Sequence, residues 1–188
     1  MKRNKFISAL LMLSITPSLA FSKCIAFLTR KDKGFKIPAG EGRIHGHIRL
    51  KGVNNNIIDV KISGTDTGGD LAIFEQTSQS QGKGVPLHVH PFQDEIFYVI
   101  EGKYKFQVGD DKYDLSVGDS IFLPRKVAHA WIQISEKGKM FVTLQPAGKL
   151  ENFFVSIAAL DHEPGKEEIA KIFLDNDMQI VGPLLQLD

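Results

Sequence analysis

The chain has 188 residues, 43% of them hydrophobic and 24% charged, which is the composition of one globular domain with at most a small appendage. That balance excludes a disordered, collagen-like or disulfide-rich chain, and the single cysteine, Cys24, has no intramolecular disulfide partner. With 23 basic against 22 acidic residues there is no charge excess of the kind that marks a nucleic-acid partner.

The charge is unevenly placed. Residues 1–20 hold Lys2, Arg3 and Lys5 and no acid, so the remainder carries 20 basic against 22 acidic side chains. The basic start leads into an apolar run from Phe6 to Ile15, followed by Thr16 and Pro17. That run is about half of the ~20 apolar residues a membrane-spanning helix needs. A charged start, a short apolar stretch and small residues after it predict a secretory signal peptide over 1–22, cleaved after Ala20 or after Ser22. The expectation is a secreted or periplasmic protein with no membrane span in its mature form. Lys23 stands where a lipoprotein peptidase wants a small residue, so Cys24 reads as a free thiol near the new terminus rather than a lipid anchor.

Residues 23–42 form a basic, unpatterned arm punctuated by Gly34, Pro38 and Gly40, which must pack on something. From Arg43 onward the text is strand and turn, a barrel domain over 43–148. Ile57–Ile62, Leu71–Gln76, Glu95–Ile100, Lys103–Val108, Ser120–Leu123 and Ala130–Ile134 are rich in β-branched and aromatic residues. Turn chemistry separates them, as in Gly82-Lys-Gly84, Gly109-Asp-Asp111 and Val117-Gly-Asp119. Short strands at such spacing predict an all-β sandwich or barrel. No Gly-rich phosphate loop and no alternation of strand and helix favours a nucleotide-binding fold. Phe97, Val99, Phe106, Phe122 and Trp131 read as core. The tail, 149–188, reads as a helical extension that covers the barrel. Leu150–Leu160 is apolar, and Lys166–Phe173 follows Pro164 with Glu167 and Glu168 in its first turn.

Three histidines share one pattern. His88-Val-His90 on a strand points both imidazoles to one face, Glu95 opens the next strand, and His129 shares parity with Trp131 and Gln133. Three neutral imidazoles and a carboxylate converging inside a barrel suit one divalent transition metal, Fe, Mn, Ni, Cu or Zn. A second pair, His45-Gly-His47, has no carboxylate at the matching distance along the chain and is ranked below the first. Arg125, at a barrel mouth, is a candidate holder of an anionic substrate, and His162 reads as surface.

The spacing resembles the cupins. Their first motif, G-x5-H-x-H-x3–4-E-x6-G, is matched throughout by Gly82, His88, His90, Glu95 and Gly102. Their second, G-x5-P-x-G-x2-H-x3-N, is matched by Gly118, Pro124 and His129, with Lys126 in place of the glycine and Gln133 in place of the asparagine. Lys126 replaces a residue that tolerates positive φ, so the turn before His129 is expected to take a different shape. The surrounding pattern is similar to single-domain, quercetinase-like cupins of type 2. The resemblance implies a double-stranded β-helix (jelly-roll) barrel with short C-terminal helices packed on it. It implies one metal held by His88, His90, Glu95 and His129. It also implies a dioxygenase acting on a small hydroxylated compound, flavonol-like or phenolic, with Glu95 as the catalytic base. The alternatives are a non-enzymatic module that binds or senses a small molecule, and a metal-dependent isomerase. A small barrel with apolar outer strands is also open to homodimer formation.

Overall fold

The computed structural model describes residues 30–187. The signal peptide expected over 1–22, its cleavage points and Cys24 lie outside the described residues. The strands in chain order are β1 (Ile48–Arg49), β2 (Ile57–Ile62), β3 (Ala72–Ser78), β4 (Gly84–Val89), β5 (Asp94–Glu101) and β6 (Tyr104–Val108). They continue with β7 (Asp111–Leu115), β8 (Ser120–Leu123), β9 (His129–Gln133) and β10 (Gly138–Gln145). Helices α1 (Leu150–Ala158) and α2 (Lys166–Asp175) follow, and a last strand, β11 (Gln179–Leu184), ends the fold.

The strands form two antiparallel sheets, β1-β2-β3-β10-β5-β8 and β11-β4-β9-β6-β7, the jelly-roll arrangement the sequence predicts. Period-2 alternation builds the core between them. On β5, Glu95, Phe97 and Val99 face inward, while Ile96 and Tyr98 face out. On β10, Met140, Val142 and Leu144 face inward. Phe74, Val99, Tyr104, Phe106, Leu123, Met140 and Leu144 are fully buried, and each such apolar side chain contributes about 1.5–3 kcal/mol by leaving water. The motif glycines sit where the chain turns with positive φ: Gly82 at 70°, Gly102 at 87° and Gly118 at 93°. A side chain is strained in that region, which is why these positions call for glycine.

Helix α1 buries Leu150, Phe153, Phe154 and Ile157, the i, i+3, i+4, i+7 stripe of an amphipathic helix. Phe154 meets Phe74 of β3 edge-on at 5.2 Å, and Phe153 meets Phe173 of α2 at 4.7 Å. The two helices thus close one end of the barrel. At the other side of the chain, residues 30–35 dock on the turn at Gly64–Asp66. Lys31 N donates to Asp66 O at 2.9 Å, and Arg43 pairs with Asp66 while lying over the Phe35 ring at 4.5 Å. No helix among the described residues is long and apolar enough to cross a membrane.

Two expectations need correction. The tail is not helical to its end: β11 pairs antiparallel with β4, Gln179 opposite Val89 and Ile180 opposite His88. The chain leaves α2 through Asp177 at φ 60°, and the β-branched Ile180 and Val181 then favour extended backbone. Pro183 is tolerated because β11 is an edge strand. Phe122 is not core but 56% exposed. Its neighbour Leu123 takes the inward position on β8, opposite Glu95.

Candidate metal centre

Strands β4 and β9 are neighbours, and their register sets His88 directly opposite His129. His90, two residues on, turns to the same side. The ring centroids lie 4.5 Å apart for His88 and His129, 5.1 Å for His88 and His90, and 5.4 Å for His90 and His129. Glu95 arrives from β5 in the other sheet, flanked in register by the buried Leu123 and Leu144. Its Oε2 lies 3.2 Å from His129 Nε2 and 3.8 Å from His90 Nε2. The candidate ligand atoms of His88, His90, Glu95 and His129 all lie within 4.8 Å of one another, and all four residues are buried. The structure therefore brings together the four residues of the sequence motif: His88 and His129 from one sheet, His90 just past the end of β4, and Glu95 from the other sheet.

The hydrogen bonds prepare the imidazoles to accept a cation. A carbonyl can only accept, so His88 Nδ1 donates to Pro86 O at 2.8 Å and His129 Nδ1 donates to Val127 O at 3.1 Å. That fixes the tautomer with the lone pair on Nε2. The Nε2 atoms of His90 and His129 are buried with no hydrogen-bond partner. Burial holds the His88 imidazole well below its usual pKa, and the neighbouring His129 and His90 push the same way. Burial lowers His90 too, against the opposing pull of Glu95. Neutral imidazoles are the form that binds metal. Orphaned inward nitrogens, a buried carboxylate and fixed tautomers fit a borderline divalent metal.

A second layer orients these groups, and sequence reasoning missed its main member. The buried Gln93 hydrogen-bonds through its side chain to His90. Gly148 makes room for it: a Cβ there would lie 2.5 Å from the Gln93 amide. The signal was present as a glutamine between the two motif ligands, but nothing local ties it to Gly148. Lys126 keeps the left-handed turn that the family's glycine would adopt, at φ 69°, so the expected change of shape does not occur. Its N–H donates to His90 O at 2.9 Å, latching the loop before His129 to the end of β4. Arg125 is committed elsewhere. It forms two side-chain hydrogen bonds to Asp94, at 2.6 and 3.0 Å, and another to Gln145 O at 3.2 Å. Its guanidinium holds the Asp94 carboxyl down at a pKa of about 2, so it is no free anion holder. Gln133 is fully buried and donates to Ser135 O at 2.9 Å, away from the cluster.

Beside the cluster lies a cavity of about 50 Å³, walled on one side by α1 and α2. Its wall is mostly apolar, with Trp131, Val142, Phe153 and Phe154 among its lining, and Phe173 stands edge-on to His88 at 5.5 Å. Phe97, Val99, Phe106 and Trp131 are core as expected. His45 and His47 do have carboxylates nearby, contrary to the sequence reading, but different ones. His47 Nδ1 lies 2.7 Å from Asp59 Oδ1, and His45 Nε2 lies 3.2 Å from Glu151 Oε1. His162 is exposed between Asp161 and Glu168, which raise its pKa by hydrogen bonding.

Residues 74–144 match the family model of the cupin domain. An uncharacterized protein of Methanocaldococcus jannaschii is 33% identical over 48 residues, which span 26% of this chain and 38% of that protein. Among solved structures, an RmlC-like cupin from Shewanella frigidimarina aligns with a TM-score of 0.50 at 19% identity, covering 63% of this chain and 96% of that one. KdgF from Halomonas sp. aligns with a TM-score of 0.45 at 18% identity, covering 51% of this chain and 83% of that one. The Shewanella likeness is one of fold.

Proposed function

We propose that this chain, a member of the cupin superfamily by its residues 74–144, binds one divalent transition metal and oxidises a small hydroxylated compound with O2 as electron acceptor. The observation that carries the reading is the convergence of His88, His90, Glu95 and His129 from both sheets, with His88, His90 and Glu95 on the wall of a cavity. A metal held by these residues supplies Lewis acidity toward an oxygen of the bound compound. Glu95 is the proton acceptor for the compound's hydroxyl, because its carboxylate sits among imidazoles already committed through their Nδ1 atoms. An apolar cavity of ~150 Å³ admits benzene; this one, at about 50 Å³, takes a molecule of a few non-hydrogen atoms.

The test is elemental analysis of the purified protein joined to O2 uptake across a panel of phenols and small alcohols. A redox-active metal with uptake supports oxidation. Zinc without uptake turns the reading to a binding module or an isomerase.

We further propose export through residues 1–22; protein from its native cell should begin near Phe21 or Lys23, and an intact Met1 on the active protein would overturn this. The outer face of the six-stranded sheet supports a homodimer. There Ile96 pairs with Phe122 and Tyr98 with Phe141, all exposed. Sedimentation of the unaltered protein against Phe122→Lys tests that surface.

A further inference from the structure

We infer that Gln76 is the residue that recognises the ligand, and that the ligand is a small uncharged molecule presenting one oxygen acceptor on an apolar body. The inference rests on the reading that the cavity beside the four-residue cluster is where the substrate binds. Gln76 is an inward position of β3, 5% exposed, and its side chain lines that cavity together with His88, His90 and Glu95. Its register neighbours are Ile58 on β2 and Met140 on β10, both fully buried and neither carrying a side-chain oxygen or nitrogen to accept a hydrogen bond. Its Nε2 has no acceptor among the described residues.

A buried amide donor left unmade costs about 1–3 kcal/mol, and native folds rarely keep one without a use. The other amide on the cavity wall is already committed. Asn54 Nδ2 donates to Gly84 O at 3.3 Å, and its Oδ1 accepts from Asn56 N at 3.1 Å. Gln76 therefore offers the cavity a donor with no protein partner. The charge on the ligand follows from the same wall. Apart from the cluster, no acidic or basic side chain lines the cavity, so an ionised group at the Gln76 end, away from the metal candidates, would be desolvated without a counter-charge. An uncharged carbonyl, ether or hydroxyl oxygen meets the Gln76 amide, and its apolar remainder meets Val142 and Phe153.

The experiment uses the full chain, 15N-labelled and loaded with zinc, with two probes of the same shape: acetone and 2-methylpropene. The Gln76 side-chain amide resonance should move on adding acetone. Acetone should also bind about 10-fold more tightly than the hydrocarbon, the worth of one hydrogen bond to a buried donor. In Gln76→Met that preference should vanish while the melting temperature stays level or rises, because an unpaired amide has been removed. Acetone binding with the Gln76 resonance unmoved, a preference kept in the variant, or binding of neither probe would each overturn the inference. The resonance is read in the unaltered protein, so the result stands even if Gln76→Met fails to fold. Zinc content and O2 uptake are measured separately. Acetone held by Gln76 in a chain that consumes no O2 removes only the oxidative reading, and O2 uptake indifferent to Gln76→Met removes only this one.

Discussion

His88-Val89-His90 and His45-Gly46-His47 have the same spacing and different surroundings. The first pair leaves β4 into the barrel, where the cross-strand partner of His88 is a third histidine and Glu95 arrives from the opposite sheet. The second lies in a bend, with His45 at φ 65° and Gly46 at φ 60°, and its side chains are 41% and 46% exposed. Each of those imidazoles finds a carboxylate, yet they find different ones, Glu151 and Asp59. A His-x-His therefore becomes a metal candidate through the strand that aims both rings and the neighbouring strand that supplies the rest. Having a carboxylate close by is not sufficient.

The largest expected effect separates the two pairs outright. His88→Ala, His90→Ala and His129→Ala should each lose the metal on dialysis, read as stoichiometry by elemental analysis. The double change His45→Ala with His47→Ala should keep it. Retention in the first set, or loss in the second, would reverse their roles.

Next come the carboxylates. Glu95→Gln keeps the shape and an oxygen but loses the basic lone pair, so turnover in metal-loaded protein should fall by about 10²–10⁴-fold. Glu151→Gln, beside His45, should leave turnover unchanged. Full activity in Glu95→Gln would remove that residue from proton transfer.

Between these and the smallest effects stands Trp131, two residues from His129 on β9 and 3% exposed. Trp131→Ala should cost about 3–5 kcal/mol, measured by chemical denaturation, because it opens the wall of the buried pair's cavity. An unchanged denaturation midpoint would contradict its burial.

Acid should distinguish the metal-free buried pair in a modest way. The folded pKa values of His88 and His90 are lowered, whereas the unfolded chain titrates near the ordinary ~6.5. Above that value neither state is protonated and stability is flat. As pH falls below it, the unfolded chain takes up protons first and stability is lost, by at most about 1.4 kcal/mol per pH unit for each histidine. Melting curves of metal-free protein between pH 7 and pH 5 should show this slope, and His88→Gln should flatten it. The smallest effect belongs to His45 of the other pair: His45→Ala should cost about 0–1 kcal/mol, the worth of a part-exposed pair with Glu151.

The motif spacing and strand alternation made the barrel and its four converging residues readable, since both depend on local period and turn chemistry. What escaped depended on register. Leu123 and Phe122 are both apolar on a short strand, and only the pairing of Leu123 with Glu95 decides which faces inward. Arg125 became a structural residue because Asp94, 31 residues earlier, stands within reach. Lys126 shows that a loop held at both ends can impose a left-handed conformation on a residue that disfavours it. Gln93 and Gln76 look alike in the text, and only their three-dimensional neighbours give one an imidazole and leave the Nε2 of the other without a partner among the described residues.

Strand β11 has a consequence for the order in which the molecule is built. On the ribosome the chain emerges from its N-terminus at roughly 5–20 residues per second, so β4 and β9 can pair while residues 150–184 are still being made. Until then β4 has an open edge on the side that Ile180 later covers, and His88 lacks Phe173 against its ring. The imidazoles are thus open to solvent during the last part of synthesis and roofed once the tail arrives. A cation arriving afterwards meets the phenylalanines that the tail has added to the cavity wall, Phe153, Phe154 and Phe173.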